Sequence, residues 1–300
     1  MRILTNALAA AFMALAGQAQ AITVFACEPE WAALTKTLLP EVSVRTATTH
    51  LQDPHHIEAR PSLIAQLRVA DFAVCTGAEL EAGWLPMLQE RAGNPKVRNG
   101  QPTMFYAAQH VALMDPFKGS ITPFSGDVHA QGNPHFHADP RRVLIVAKAL
   151  AGRLGSVFPD QKPQIDRNLA KFESDMGAKI VAWEKQAEAL KDRTVITQHA
   201  SFAYLWAWLG LRPIADLEPK PGVPPTAAHL EKVMALSKTQ HPIGIIIAQH
   251  HDPKPGRWLA SSMGIQNKFL ILPATVTDER PESIIRWFDQ VIEQLNGLAR

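Results

Sequence analysis

The chain has 300 residues, enough for a substantial core and for two domains of ordinary size. Charged residues make up 19 % and apolar residues 46 %, a globular balance. A formal net charge of +2, with Lys and Arg scattered, argues against a polyanion groove, so no nucleic-acid partner is expected.

The first residues read as a secretory leader. Arg2 gives a basic start, Ala7 to Gly17 an apolar middle, and Ala19-Gln20-Ala21 a small-residue cleavage box. Cleavage after Ala21 leaves a soluble periplasmic protein beginning at Ile22. A buried N-terminal helix is the alternative reading. The run is too short and too broken to span a bilayer stably. Cys27 is a poor lipid-anchor site, because it lies past the box and Phe25 does not suit one.

A first αβ pattern follows. Strand Ile22–Ala26, helix Pro29–Thr37, strand Val42–Ala47, helix Ser62–Val69 and strand Phe72–Cys75 precede a helix-like stretch through Glu81, Trp84 and Leu88. Short apolar runs between helices predict a parallel sheet covered on both faces. If the first and third of these strands are neighbours, Cys27 and Cys75 share one sheet edge. An oxidising compartment then favours a disulfide. Two buried apolar cysteines are the alternative.

Residues Gly100 to Pro140 are rich in proline and glycine and predict loop with one short strand. His110 and His129 make this region a candidate metal-collecting flap, against the plainer reading of solvated loop histidines. A helix begins near Asp139-Pro140 and pauses at Phe158-Pro159-Asp160. A longer one runs from Gln161 to Leu190, with Ile165, Leu169, Phe172, Met176, Ile180 and Trp183 spaced three or four apart. At about 1.5 Å per residue it reaches roughly 45 Å, long enough to bridge two lobes.

A second αβ pattern closes the chain. Strand Thr194–Thr197 leads to His199, and helix Phe202–Leu209 ends at Gly210. A rigid proline-rich loop runs from Leu217 to Pro225. Helix Ala227–Ser237, a central strand Ile243–Ala248, helix Lys254–Met263, strand Phe269–Leu272 and helix Ser283–Leu295 follow. The expected fold class is α/β, with two lobes, each a mainly parallel sheet flanked by helices, joined by one long rigid linking helix with a cleft between. The expected divisions are a leader at 1–21, an N-terminal lobe at 22–160, the linking helix at 161–190 and a C-terminal lobe at 191–300.

Three histidine positions fall beyond apparent strand ends: His55-His56, His135 with His137, and His199. Tetrahedral zinc suits neutral imidazoles, and no short stretch supplies a whole site, so separate loops must converge. Strand-end loops of an αβ fold do converge on one crevice. Pro54 fixes the approach to the doublet, which favours His55 as a ligand and His56 as an outward or supporting ring. His135 and His137, two apart on an extended segment, are too far apart to grip one ion together. For each ring alone, an imidazole satisfied by a backbone carbonyl is the plainer reading.

The stretches Asp53-Pro54-His55-His56-Ile57-Glu58-Ala59-Arg60-Pro61-Ser62, Asn133-Pro134-His135-Phe136-His137-Ala138-Asp139-Pro140 and Gln198-His199-Ala200-Ser201-Phe202-Ala203-Tyr204, with the loop Glu218-Pro219-Lys220-Pro221-Gly222, resemble one family. It is the zinc and manganese type (cluster A-I) of periplasmic solute-binding proteins of ABC transporters. The resemblance covers essentially the whole mature chain. It implies ligands at His55, His135 and His199. It also implies Zn(II) as transported ligand, because a histidine in the third position marks the zinc subtype, and ligand softness agrees. The expected partners are an inner-membrane ABC permease and, upstream, a periplasmic metallochaperone; the chain is expected to act as a monomer. The family often adds an Asp near the C-terminus. None occurs around Ile271 to Ala274, so Asp278 is the expected substitute, with His250, His251 or water as alternatives.

Other uses of a three-histidine site remain open at this stage. An exported zinc hydrolase would need a base, for which Glu58 and Glu218 are the candidates. A structural staple would leave the metal-free chain unfolded. A manganese-binding transport protein of the same family is the third alternative. Capture, with no enzymatic activity, is the reading preferred.

Overall fold

The computed structural model describes residues 21–120, 122 and 125–300. The expected leader lies outside them apart from Ala21. Strands β1 (Thr23–Ala26), β2 (Ser43–Thr46), β3 (Phe72–Cys75) and β4 (Met104–Tyr106) form a parallel sheet in the order β2-β1-β3-β4. Helices α1 (Pro29–Leu38), α2 (Pro61–Arg68) and α3 (Leu85–Ala92) belong to this lobe. Two long helices follow, α4 (Pro140–Val157) and α5 (Lys162–Gln186). The second lobe has strands β5 (Thr194–Thr197), β6 (Arg212–Asp216), β7 (Ile245–Ala248) and β8 (Phe269–Leu272), parallel in the order β6-β5-β7-β8. Its helices are α6 (Ala203–Leu209), α7 (Ala227–Gln240), α8 (Lys254–Ser262) and α9 (Ser283–Leu298). The protein is thus a two-lobed α/β molecule.

Strand residues alternate between two apolar layers, as the pleat requires. On the inner faces Val24 and Val74 of the first sheet, and Val195 and Ile246 of the second, join one continuous core with Trp31, Leu150, Met176, Trp183 and Phe288 from α1, α4, α5 and α9. The outer faces pack separately, Phe25 and Ala73 against Leu63 and Leu88, and Ile245 and Ile247 against Leu230 and Leu259. The lobes therefore share their inner core. Spreading them widely would expose that core, at a cost of about 25 cal/mol per Å² of apolar surface.

Two details depart from the sequence reading. Strand β6 was not expected: Arg-Pro-Ile-Ala-Asp has the look of a loop, and Pro213 is tolerated because β6 is an edge strand. The expected 161–190 helix divides into α5, about 38 Å long, and a short 3₁₀ turn at Glu188–Leu190. Cys27 and Cys75 are joined by a disulfide across the neighbouring strands β1 and β3. Among the described residues no helix is long and apolar enough to cross a membrane.

Candidate metal centre

His55 sits in the loop between β2 and α2. Asp53 accepts its backbone N–H at 3.0 Å and its ring Nδ1–H at 2.6 Å, and the Trp84 indole donates to the Pro54 carbonyl at 2.9 Å. The first contact is an Asx turn; the last pins the loop to the lobe's core. Burial works against charge on Asp53, but the His55 ring beside it holds the carboxyl well below the ordinary range.

His135 precedes α4. The Asn133 side chain accepts the His135 N–H at 2.8 Å and donates to the Ala200 carbonyl in the other lobe at 3.1 Å. The Tyr204 hydroxyl donates to the Asn133 carbonyl at 2.7 Å. Asp139 caps α4 by accepting the Arg141 N–H at 3.0 Å. The His135 ring is buried, with its Nε2 lacking any partner. Burial, then the neighbouring His55 and His199 rings, push it well below the ordinary histidine pKa, so it stays neutral and able to ligate.

His199 lies just past β5 in a left-handed backbone conformation, φ 61°. Such a conformation costs a non-glycine residue about 1 kcal/mol or more and is held here by Asp216, whose carboxylate accepts the His199 and Glu218 N–H groups at 3.0 and 2.8 Å. Burial raises the Asp216 pKa to about 6. Glu218 accepts the His199 Nδ1–H at 3.0 Å and the Gly222 N–H at 2.8 Å. Burial opposes charge on His199, yet Glu218 outweighs it and raises the ring's pKa.

These three segments bring ligand atoms of His55, His135 and His199 within 4.8 Å of one another. In two of the rings a carboxylate holds Nδ1 and leaves Nε2 toward the centre, the arrangement that fixes tautomer and direction in metal-binding histidines. Two carboxylates just outside three imidazoles also favour a dication electrostatically.

The other expected residues go elsewhere. Asp278 is not brought into this group. It accepts hydrogen bonds from Arg280, Ser283 and Arg286, residues close to it in sequence, and is held there as a paired surface carboxylate. His137 donates Nε2–H to the Ala274 carbonyl at 2.9 Å and faces Glu30 through Nδ1 at 3.4 Å. His110 stacks on Phe105, and His56 is exposed beside Asp127. His251 approaches His199 alone of the three, with ring centroids 5.8 Å apart, and the His250 ring packs at a tilt against His251, centroids 4.3 Å apart. Of the two proposed bases, Glu58 is exposed and Glu218 is occupied with His199. Asp53 and Glu218 are the functional residues that sequence reasoning left without their role. The Asp-x-His spacing signals the first; the second becomes visible only once β6 is recognised.

The model of a family described as "Zinc-uptake complex component A periplasmic" matches residues 24–297. The chain belongs to this family. It is 23 % identical over 251 residues to the zinc-binding lipoprotein AdcA of Streptococcus pneumoniae (strain TIGR4), covering 83 % of this chain but 49 % of that protein. The chain therefore spans about half the length of that relative. Against the high-affinity zinc uptake system protein ZnuA of Bacillus subtilis it is 23 % identical, over 82 % of this chain and 76 % of that one. A crystal structure of ZnuA superposes with a TM-score of 0.77 at 20 % identity, over 93 % of this chain and 100 % of the other, and shows the shared fold.

Proposed function

We propose that the protein captures Zn(II) in the periplasm with His55, His135 and His199 and delivers it to an ABC permease for import. The observation that carries this reading is the convergence of three buried or half-buried imidazoles from separate segments to within 4.8 Å. Membership of a zinc-uptake family and the names of its zinc-binding relatives support it. The all-nitrogen set favours zinc over manganese, which prefers carboxylate oxygen. A core shared between the lobes supports capture by a preformed site with little hinge motion. Division into lobes at 22–160 and 191–300, with 161–190 linking them, accords with the position of α5 and remains part of the proposal. So does removal of residues 1–21 on export.

In this reading the bound ion is cargo. His55 and His199 present Nε2 because Asp53 and Glu218 hold Nδ1, and His135 supplies an unpartnered Nε2. His135, kept neutral by burial and its neighbouring rings, need shed no proton before binding. Zinc titration of the metal-free protein against a competing chelator tests the reading. It predicts one tightly bound equivalent, lost when all three rings are replaced by alanine. Unchanged binding by that variant would reject it.

A further inference from the structure

A fourth imidazole approaches the same place from an unexpected direction. His129 lies on the irregular segment between β4 and α4, and its Nε2 is 3.2 Å from the Nε2 of His55. Their ring centroids are 5.2 Å apart. Because Asp53 occupies His55 Nδ1, the His55 atom that His129 faces is the one free to ligate. Two nitrogens sharing one tetrahedral zinc, each about 2.0–2.1 Å from it, stand about 3.3–3.4 Å apart. The observed spacing is close to that edge.

The segment carrying His129 is fastened on both sides of the cleft. Toward the first lobe, Ala130 N–H donates to Glu79 Oε2 at 2.6 Å, and Glu79 is aimed there by a left-handed backbone, φ 68°. Asp127 also faces His56 Nε2 at 3.5 Å. Toward the second lobe, Asp127 N–H donates to the Pro221 carbonyl at 3.0 Å. The approach there is so close that a Cβ on Gly126 would collide with the Pro221 carbonyl oxygen, and one on Gly222 with the Asp127 carboxylate. The next link returns to the centre: Gly222 N–H donates to Glu218, which holds His199. A strap thus crosses between the loops that position His55 and His199, with His129 on its inner side.

We propose that His129 is the fourth ligand of the captured zinc, supplied by this strap in the position for which a C-terminal carboxylate was expected. His129 stands outside the group formed by His55, His135 and His199, so rotation of its side chain is what brings it to the fourth vertex. The 3.2 Å contact lets the two rings share one N–H. The strap then closes the site on binding, and loosening it frees one ligand without disturbing the shared core. The inference rests on zinc capture at the three-histidine site.

The test is X-ray absorption at the zinc edge on the full mature protein, with cobalt(II) as an optical probe of ligand number. Four imidazoles are expected in the wild type. His129→Ala should show three with one oxygen, an altered cobalt spectrum, and zinc affinity lower by at least roughly tenfold. His251→Ala, the competing candidate, should leave all three readouts unchanged. Three imidazoles in the wild type, or an unchanged cobalt spectrum in His129→Ala, would overturn the proposal. So would a ligand lost in His251→Ala instead. If His129→Ala does not fold, the wild-type imidazole count still decides. A wild type that binds no zinc would instead overturn the capture reading itself.

Discussion

At the carboxyl edge of the first sheet the strand ends carry no histidine. β1 and β3 run into the Cys27–Cys75 disulfide, and behind it Glu28 and Glu81 both accept the Thr76 N–H, at 3.1 and 2.7 Å. His55 is mounted away from this edge, on a loop steadied by Asp53, whose side chain is 31 % exposed. At the second sheet the imidazole is mounted on the edge itself. His199 follows β5 directly, and its carboxylate partner Glu218, 6 % exposed, follows β6. One sheet fills its edge with a covalent bridge and buried acids and leaves ligation to a loop. The other spends its edge on the ligand. The same architecture thus mounts one ligand on a loop and the other on a sheet edge, and the strap bearing His129 is fastened to both lobes.

The largest expected effect sharpens that contrast. Removing one ring should weaken zinc binding roughly hundred- to thousandfold, because apparent zinc energies of about 10–16 kcal/mol are spread over four ligands. His199→Ala should lose more than His55→Ala, and chelator competition measures both. Equal losses would break the distinction between the two mounts. Next, replacing Cys27 and Cys75 by Ser should lower stability by about 4 kcal/mol, the loop-closure value for a separation of 48 residues. Denaturant unfolding measures it, and zinc affinity of the folded protein should change little, because neither sulfur approaches the rings.

A smaller effect separates the two carboxylates. Glu218→Gln leaves a buried imidazole without its anion and should reduce zinc affinity about 10–100-fold. Asp53→Asn, at a partly hydrated site, should cost less than about tenfold. The reverse order in a calorimetric titration would contradict the account. The smallest effect concerns Glu81, whose pKa burial raises to about 7 in the folded state. A carboxyl group raised on folding favours the folded state below its unfolded pKa and loses that contribution as pH rises through the folded value. Metal-free wild type should therefore melt a few degrees lower at pH 8 than at pH 5, and Glu81→Gln should flatten that difference.

Much of this molecule was legible before its structure. Strands such as Phe72–Cys75 and Ile245–Ala248 are buried on both faces, and so appear as unbroken apolar runs. β6 was hidden because an edge strand need not be apolar, and its arginine and proline read as loop. The meeting of the three histidines was legible because the loops of an α/β fold converge on one crevice, a consequence of topology and not of local spacing; of the three, His199 directly follows a strand. Asp278 shows where that logic stops. Its proximity in sequence to a ligand position could not reveal that Arg280 and Arg286 hold it first. Glu218 was singled out as a base, yet its role beside His199 depends on the pairing of β5 with β6. His129 was visible only as one histidine in an irregular stretch, since nothing local specifies that the stretch straddles the cleft.

The most direct measurement is a crystal structure of the zinc-loaded protein with anomalous diffraction recorded on both sides of the zinc edge. The account predicts one strong peak about 2.0–2.1 Å from imidazole nitrogens of His55, His135 and His199. A peak that engages other residues, with these three rings left unligated, would contradict it.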